Sequence, residues 1–150
     1  MIGLMTKLRT GEPWRTAADY GRTLTGLSLN LMVRDVAHSL PFYTVVLGMT
    51  EHYSDVDFAA LELEGVFQLQ LHADHTYDAM PQFADLSHDG RRGIGAEVRV
   101  MGIDPDQAEA RARSVGAEVL IPAGDFKHGW RACFLRDPDG YTFAVGVAIS

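Results

Sequence analysis

The sequence predicts an α+β fold of two tandem βαβββ modules. Three observations predict it: a strand–helix–strands order that occurs twice, a matched distance from helix cap to closing glycine, and a late proline–glycine turn that closes a hairpin. Asp35 to Gly48 spans 13 positions and Asp104 to Gly116 spans 12. In each half the glycine is followed by a short β-prone run, MTEHY or AEVLI.

The first strand is LSLNLMV, from residue 27. Its alternation puts Leu27, Leu29, Leu31 and Val33 on an apolar face and leaves Ser28, Asn30 and Met32 on the other. Asp35 then serves as helix N-cap, Leu40, Tyr43, Val46 and Leu47 recur at helical spacing, and Gly48 stands at C′. Pro41 conflicts with a helix begun at Asp35, so the helix starts near Ser39 or its first turn is distorted. Three β-prone runs follow, at 50–53, 58–63 and 66–72, the last two joined by a tight turn at Glu64-Gly65. The last run opens VFQLQLHADH, which alternates apolar and polar residues and ends in two histidines three apart.

Residues 76–92 are rich in Asp, Ser, Gly and Pro and read as a connecting loop. The second module then repeats the first: GAEVRVM at 95–101 is a strand, and Asp104 caps a helix with Pro105 at N1 and Gln107 at N3. Ala108, Ala112 and Val115 form one face of that helix. WRACFLR and YTFAVGV flank Asp137-Pro138-Asp139-Gly140, a type I turn closing a hairpin. The modules therefore occupy 26–75 and 93–150. Residues 1–25 lie outside the repeat as an arm or short helix, whose Trp14 and Tyr20 pack onto something.

A chain of 150 residues is one domain's worth, enough to bury roughly 70% of its unfolded surface. At 47% hydrophobic and 22% charged it has the composition of a soluble globular protein. No apolar run approaches the roughly 18 residues of a membrane span. The N-terminal stretch lacks the apolar core of a secretory signal, and one cysteine, Cys133, allows no intrachain disulfide; both fit the cytoplasm. A formal charge of −7, with no Lys/Arg cluster beyond pairs such as Arg91-Arg92, argues against nucleic acid. Cationic or neutral small molecules are the more natural partners.

RDVAHSLPFYTVVLGMT, the GAEV turn after the second helix, and FLRDPDGYTFAV resemble the vicinal oxygen chelate superfamily, which includes glyoxalase I, extradiol dioxygenases, fosfomycin-resistance enzymes and bleomycin-resistance proteins. The resemblance covers residues 26–147. It implies curved mixed sheets around a groove, a homodimer, and in the enzymes a divalent metal held by one residue from the first and last strand of each module. Carried across one by one, those positions fall on Ser28, Gln68, Gly95 and Ala144. Gly95 and Ala144 have no ligating side chain, and neutral Ser28 and Gln68 bind a divalent ion poorly. Shifting the alignment by two residues brings in Gln70 and Glu97 without restoring four ligands. No metal cofactor is therefore expected; the alternative is Zn, Ni, Fe or Mn at relocated ligands.

Alternation supplies the candidate groove residues independently. Asn30 and Met32, Gln68 and Gln70, Arg99 and Trp130 are candidates for ligand binding. Glu97 and His72 are the candidates for acid–base catalysis. Glu97 is a general base or an anchor for a cation, or simply the neighbour of Arg99 on a half-wet strand. In the H-x-D-H run, residues three apart on a strand face opposite sides, so His72 sits at the groove mouth, able to move a proton, and His75 on the exit loop. Cys133 reads as a buried structural thiol. Trp130 and His128 roof the groove or cover the sheet edge. GRRGIG lacks a preceding strand and is loop, not a phosphate cradle. The expected function is metal-independent small-molecule binding in a groove, as in bleomycin-resistance proteins. The alternative is an enzyme, a glyoxalase-type lyase or isomerase or a dioxygenase, with relocated metal ligands or Glu97/His72 chemistry.

Overall fold

The computed structural model describes residues 6–150, so residues 1–5 of the expected arm lie outside the described residues. Two four-stranded mixed sheets are formed. The first contains β1 (Ser28–Val33), β2 (Thr50–Ser54), β3 (Phe58–Leu63) and β4 (Phe67–Ala73) in the order β1-β4-β3-β2. The second contains β5 (Glu97–Met101), β6 (Glu118–Phe126), β7 (Trp130–Arg136) and β8 (Thr142–Ala148) in the order β5-β8-β7-β6. Each pairs its first and last strands in parallel and the others antiparallel, so the α+β reading with two βαβββ modules holds.

The chain divides into two compact units, residues up to 40 with 49–86, and 41–48 with 87–150. The division at 86/87 falls inside the stretch expected to be a connecting loop. The end of that loop is built into the second unit: the Arg92 amide donates to the Asp139 carbonyl at 2.9 Å, and its Nε to the Ser87 carbonyl at 2.9 Å.

In the first unit Leu31, Val33, Leu61, Leu69 and Leu71 form the core. Alternation does not describe β1 fully. Leu27, before the strand, is 87% exposed, whereas Met32, expected to face a groove, is 1% exposed beside Val33 at 0%. The C-terminal half of β1 is thus covered on both faces, as strands with a parallel neighbour often are. After β1, Asp35 caps helix α2 (Val36–Pro41; α1 is described below), its Oδ1 accepting from the His38 amide and its carbonyl from Ser39, both at 3.0 Å. The helix starts at Val36, not near Ser39, and the irregularity lies after the proline. Residues Phe42–Val46 form a π-helical turn closed by the Leu47 amide on the Phe42 carbonyl at 3.2 Å. Pro41 has no N–H for the Ala37 carbonyl and its ring crowds the preceding turn, which the wider turn relieves.

In the second unit Asp104 caps α3 (Pro105–Ser114), accepting from the amides of Asp106 and Gln107 at 2.9 and 3.1 Å. Ala108 and Ala112 are buried, but Val115 is 38% exposed. Val115 is the C-cap, with φ at −102°, so it has already left the helical stripe. Arg111 donates through Nε and Nη2 to the Val46 carbonyl at 3.2 and 3.1 Å, closing the C-terminal end of the π turn.

The Asp137–Gly140 turn is organised by one buried carboxylate. Asp137 Oδ1 accepts from the amides of Asp139, Gly140 and Tyr141 at 2.9–3.0 Å, and Oδ2 accepts from the Tyr43 hydroxyl at 2.6 Å. Burial pushes the Asp137 carboxyl up to about 6 although these bonds pull it down. Gly140 has φ +104°, and a Cβ there would lie 2.9 Å from Arg91 Cβ, so the turn needs glycine. Tyr43→Phe keeps the ring against Phe42 and Phe143 and removes only the donor. It is expected to cost about 2 kcal/mol in denaturant unfolding, the penalty for orphaning a buried acceptor; an unchanged midpoint would show that Tyr43 is there for packing alone.

Candidate functional site

β4 carries the site because its strict alternation places Gln68, Gln70 and His72 on one face. In register with β1, Ser28 lies beside Gln68, Asn30 beside Gln70 and Met32 beside His72. Two diagonal bonds link the strands and a third ties β4 to the chain just before β1. His72 Nδ1–H donates to Asn30 Oδ1 at 2.6 Å, Gln70 Nε2 donates to Ser28 Oγ at 3.4 Å, and Gln68 Oε1 accepts from the Thr25 amide at 3.3 Å. The Tyr77 hydroxyl hydrogen-bonds Asn30 and the Tyr20 hydroxyl hydrogen-bonds Gln70. Burial raises both phenols.

Residues 7–24 cover this face. Their short helix, α1 (Ala17–Gly21), is capped by Thr16 Oγ1, which accepts from the Asp19 amide at 3.1 Å. Trp14 stacks on Tyr53, centroids 4.6 Å apart and planes 11° apart, and Tyr20 meets Phe58 edge-on at 5.4 Å. The packing expected of Trp14 and Tyr20 is therefore against the module's own sheet. Asp57, wholly buried in the β2–β3 connection, holds the arm: Oδ1 accepts from the Leu8 amide at 2.8 Å and His75 Nε2 at 2.7 Å, and Oδ2 from the Arg9 amide at 3.1 Å. Burial pushes Asp57 up, but the bonds from His75, Leu8 and Arg9 outweigh it and leave the carboxyl below its ordinary value.

Between arm and sheet lies a cavity of about 310 Å³. Its sheet side is Phe58, Gln70, His72 and Tyr77; its arm side includes Lys7, Arg9, Trp14, Arg15 and Tyr20. His72 is 8% exposed, packed against Phe58 and Tyr77 with centroids at 4.9 Å. Burial, helped by the charge of Lys7 and opposed by Asp55, lowers His72 to about 4, so the ring is neutral at pH 7. With its proton on Nδ1, Nε2 is the acceptor nitrogen.

Gln70 and His72 line the cavity, Asn30 orients His72, and Gln68 lines a smaller recess of about 200 Å³ beside Trp14 and Tyr20. The two histidines part as strand geometry requires, His72 to the cavity and His75, in a 3₁₀ turn, to Asp57. In the second unit Arg99 Nε donates to Glu97 Oε1 at 2.8 Å; the Arg99 side chain is largely open to solvent and the Glu97 side chain is 31% exposed. The Arg99 guanidinium lies 4.9 Å from the Trp130 ring centre, and His128 meets Trp130 edge-on at 4.7 Å. Trp130 thus carries a cation from its own chain. Cys133 is fully buried, and burial pushes its thiol up to about 11. Asp57, Tyr77 and the arm's cations escaped the sequence reading; only Trp14 and Tyr20 signalled the arm.

The family's metal positions do not fit a divalent ion. Ser28 and Gln68 offer neutral oxygens already engaged by Gln70 and the Thr25 amide, Gly95 has no side chain, and Ala144 is a buried methyl. Among the described residues no three His, Cys, Asp or Glu are grouped to hold a metal. Among them, too, no helix is long and apolar enough to cross a membrane.

Paired βαβββ modules with a polar strand face define the architecture of vicinal oxygen chelate proteins. The chain belongs to the Glyoxalase/Bleomycin resistance protein/Dioxygenase superfamily, whose family model matches residues 27–145. Among solved structures it is similar to a glyoxalase/bleomycin resistance protein/dioxygenase family enzyme from Burkholderia phytofirmans PsJN, with TM-score 0.66 and 23% identity over 81% of this chain and 97% of that one. A second, a glyoxalase/bleomycin resistance protein/dioxygenase from Nocardioides, gives TM-score 0.62 and 24% identity over 89% and 92%. A third, hypothetical protein SA1046 from S. aureus, gives 0.66 and 17% over 83% and 94%. These likenesses concern the fold. No curated protein matches the chain in sequence.

Proposed function

We propose that the protein is a small-molecule-binding member of this superfamily, metal-independent and bleomycin-resistance-like in sequestering its ligand, with the arm-covered cavity as its site. The observation that carries the reading is the cavity itself. It joins an aromatic wall to a few oriented polar groups, Gln70 and His72, which is how small-molecule sites are built. The donor set at Ser28, Gln68, Gly95 and Ala144 supports metal independence. A homodimer goes with this reading and is checked by light scattering on the purified chain.

The test is thermal-shift screening of the full chain against small aromatic and heterocyclic compounds, in EDTA and again with Zn²⁺, Ni²⁺, Fe²⁺ or Mn²⁺. Hits in EDTA that vanish in Trp14→Ala are expected. Hits that need an added metal, or no hits at all, would overturn the reading.

A second reading, acid–base catalysis at His72, is favoured by one observation: Asn30 fixes the Nδ1–H tautomer and leaves Nε2 as the unprotonated acceptor nitrogen. Hits recovered chemically unchanged after prolonged incubation remove it.

A further inference from the structure

The charge of the cavity runs against the charge of the chain. The sequence totals −7, which points to cationic or neutral ligands. The cavity wall nevertheless carries Lys7, Arg9 and Arg15 against the single carboxylate of Asp55. That carboxylate is committed elsewhere: Oδ1 accepts from the amides of Asp57 and Phe58 at 2.8 and 2.9 Å, and Oδ2 from the Tyr53 hydroxyl at 2.7 Å. Arg9 is only loosely paired. Its Nη1 stands 3.8 Å from Asp57 Oδ2, beyond hydrogen-bond range, and its buried Nε has no hydrogen-bond partner among the described residues. A guanidinium with no close carboxylate, set in the wall of a ligand-sized cavity, suits an acidic ligand.

We propose that the cavity binds a single-ring aromatic carboxylate, with its ring against Trp14, Tyr20 and Phe58 and its carboxylate on Arg9 and Lys7. This rests on the small-molecule reading above and deepens it to a ligand class. Three features narrow the class. About 310 Å³ stands at the lower end of small-molecule pockets and admits one ring more readily than a fused system. The planar guanidinium matches a carboxylate edge through two parallel N–H bonds. Gln70 and His72, on the sheet side, meet a polar substituent on the far side of the ring. A cationic ligand would face Lys7, Arg9 and Arg15, and an uncharged one would offer their charges a weaker acceptor.

Isothermal titration of the full chain with 4-hydroxybenzoate, its methyl ester and 4-hydroxybenzylamine tests the assignment. The carboxylate is expected to bind about 10-fold or more tightly than the ester, as a charge-assisted pair does relative to a neutral one, and the amine more weakly still. Arg9→Gln and Lys7→Gln should each weaken the carboxylate more than the ester and so shrink the preference between them. Equal binding of carboxylate and ester, tighter binding of the amine, or no binding of any of the three would overturn the aromatic-carboxylate assignment. The thermal-shift panel separately decides whether the cavity binds small molecules of another class.

Discussion

Asp57→Asn is expected to detach the N-terminal arm and dismantle the cavity while leaving the sheets folded. One carboxylate oxygen takes both the Leu8 amide and His75, the other takes the Arg9 amide, so an asparagine must turn its NH₂ group toward an existing donor whichever way it is placed. Removing one partner from such a buried, charge-assisted cluster costs about 3 kcal/mol. The arm is otherwise held mainly by aromatic contacts from Trp14 and Tyr20, whose edge and stacking terms are about 1 kcal/mol each. Losing the anchor therefore shifts the arm toward its open state. Limited trypsin digestion reads this directly, because Lys7, Arg9, Arg15 and Arg22 all lie in the arm. Cleavage there should accelerate about 100-fold at the cost just given; an unchanged rate would mean that Asp57 does not hold the arm. The same anchor weakens with acid. Because the folded carboxyl sits below its ordinary value of 3.8, its contribution is complete above that value and is lost as pH falls through the folded one.

The fold was legible because its signals are local and repeated. Asp104, Pro105 and Gln107 specify a helix start wherever the helix goes, and Asp137 to Gly140 specify a turn. What escaped was settled by neighbours. The sequence predicts a short strand over AEVLI, yet β6 runs to Phe126 through Pro122 and Gly124, two residues that ordinarily break strands. At the sheet edge Pro122 has no ladder bond to lose on its open side, and register shifts between Val119 and Gly124 absorb the misfit. Met32 was lost to the same cause, since alternation tells which residues share a face and not whether that face is covered.

The site was half legible. Period-two alternation correctly groups Gln68, Gln70 and His72, and strand geometry separates His72 from His75. The arm's role could not be read, because it rests on contacts such as Leu8 to Asp57 that span 49 positions and leave no pattern in either segment. The net charge says nothing of the cavity's own lining for a similar reason: it averages over a surface, while the cavity wall carries Lys7, Arg9 and Arg15.

His72 should make its presence felt through the pH dependence of stability, though only by difference. Its folded value near 4 lies below the ordinary imidazole value of 6.5, so between these pH values the unfolded chain binds the extra proton. Stability from this group is complete above pH 6.5 and falls by up to about 3 kcal/mol as pH drops toward 4, at about 1.4 kcal/mol per pH unit. Asp137 has the opposite sign. Its folded carboxyl near 6 lies above 3.8, so the folded chain binds the extra proton and stability declines as pH rises across that window. The two slopes nearly cancel, and the unmodified protein is expected to show a shallow profile between pH 4 and 6. His72→Gln removes one of them. The stability difference between the parent protein and His72→Gln should therefore grow by about 3 kcal/mol in the parent's favour from pH 4 to 6.5. A flat difference, or a His72 ring that titrates near 6.5 by NMR, would mean that the arm does not exclude water from the imidazole, and the cavity would be an open groove.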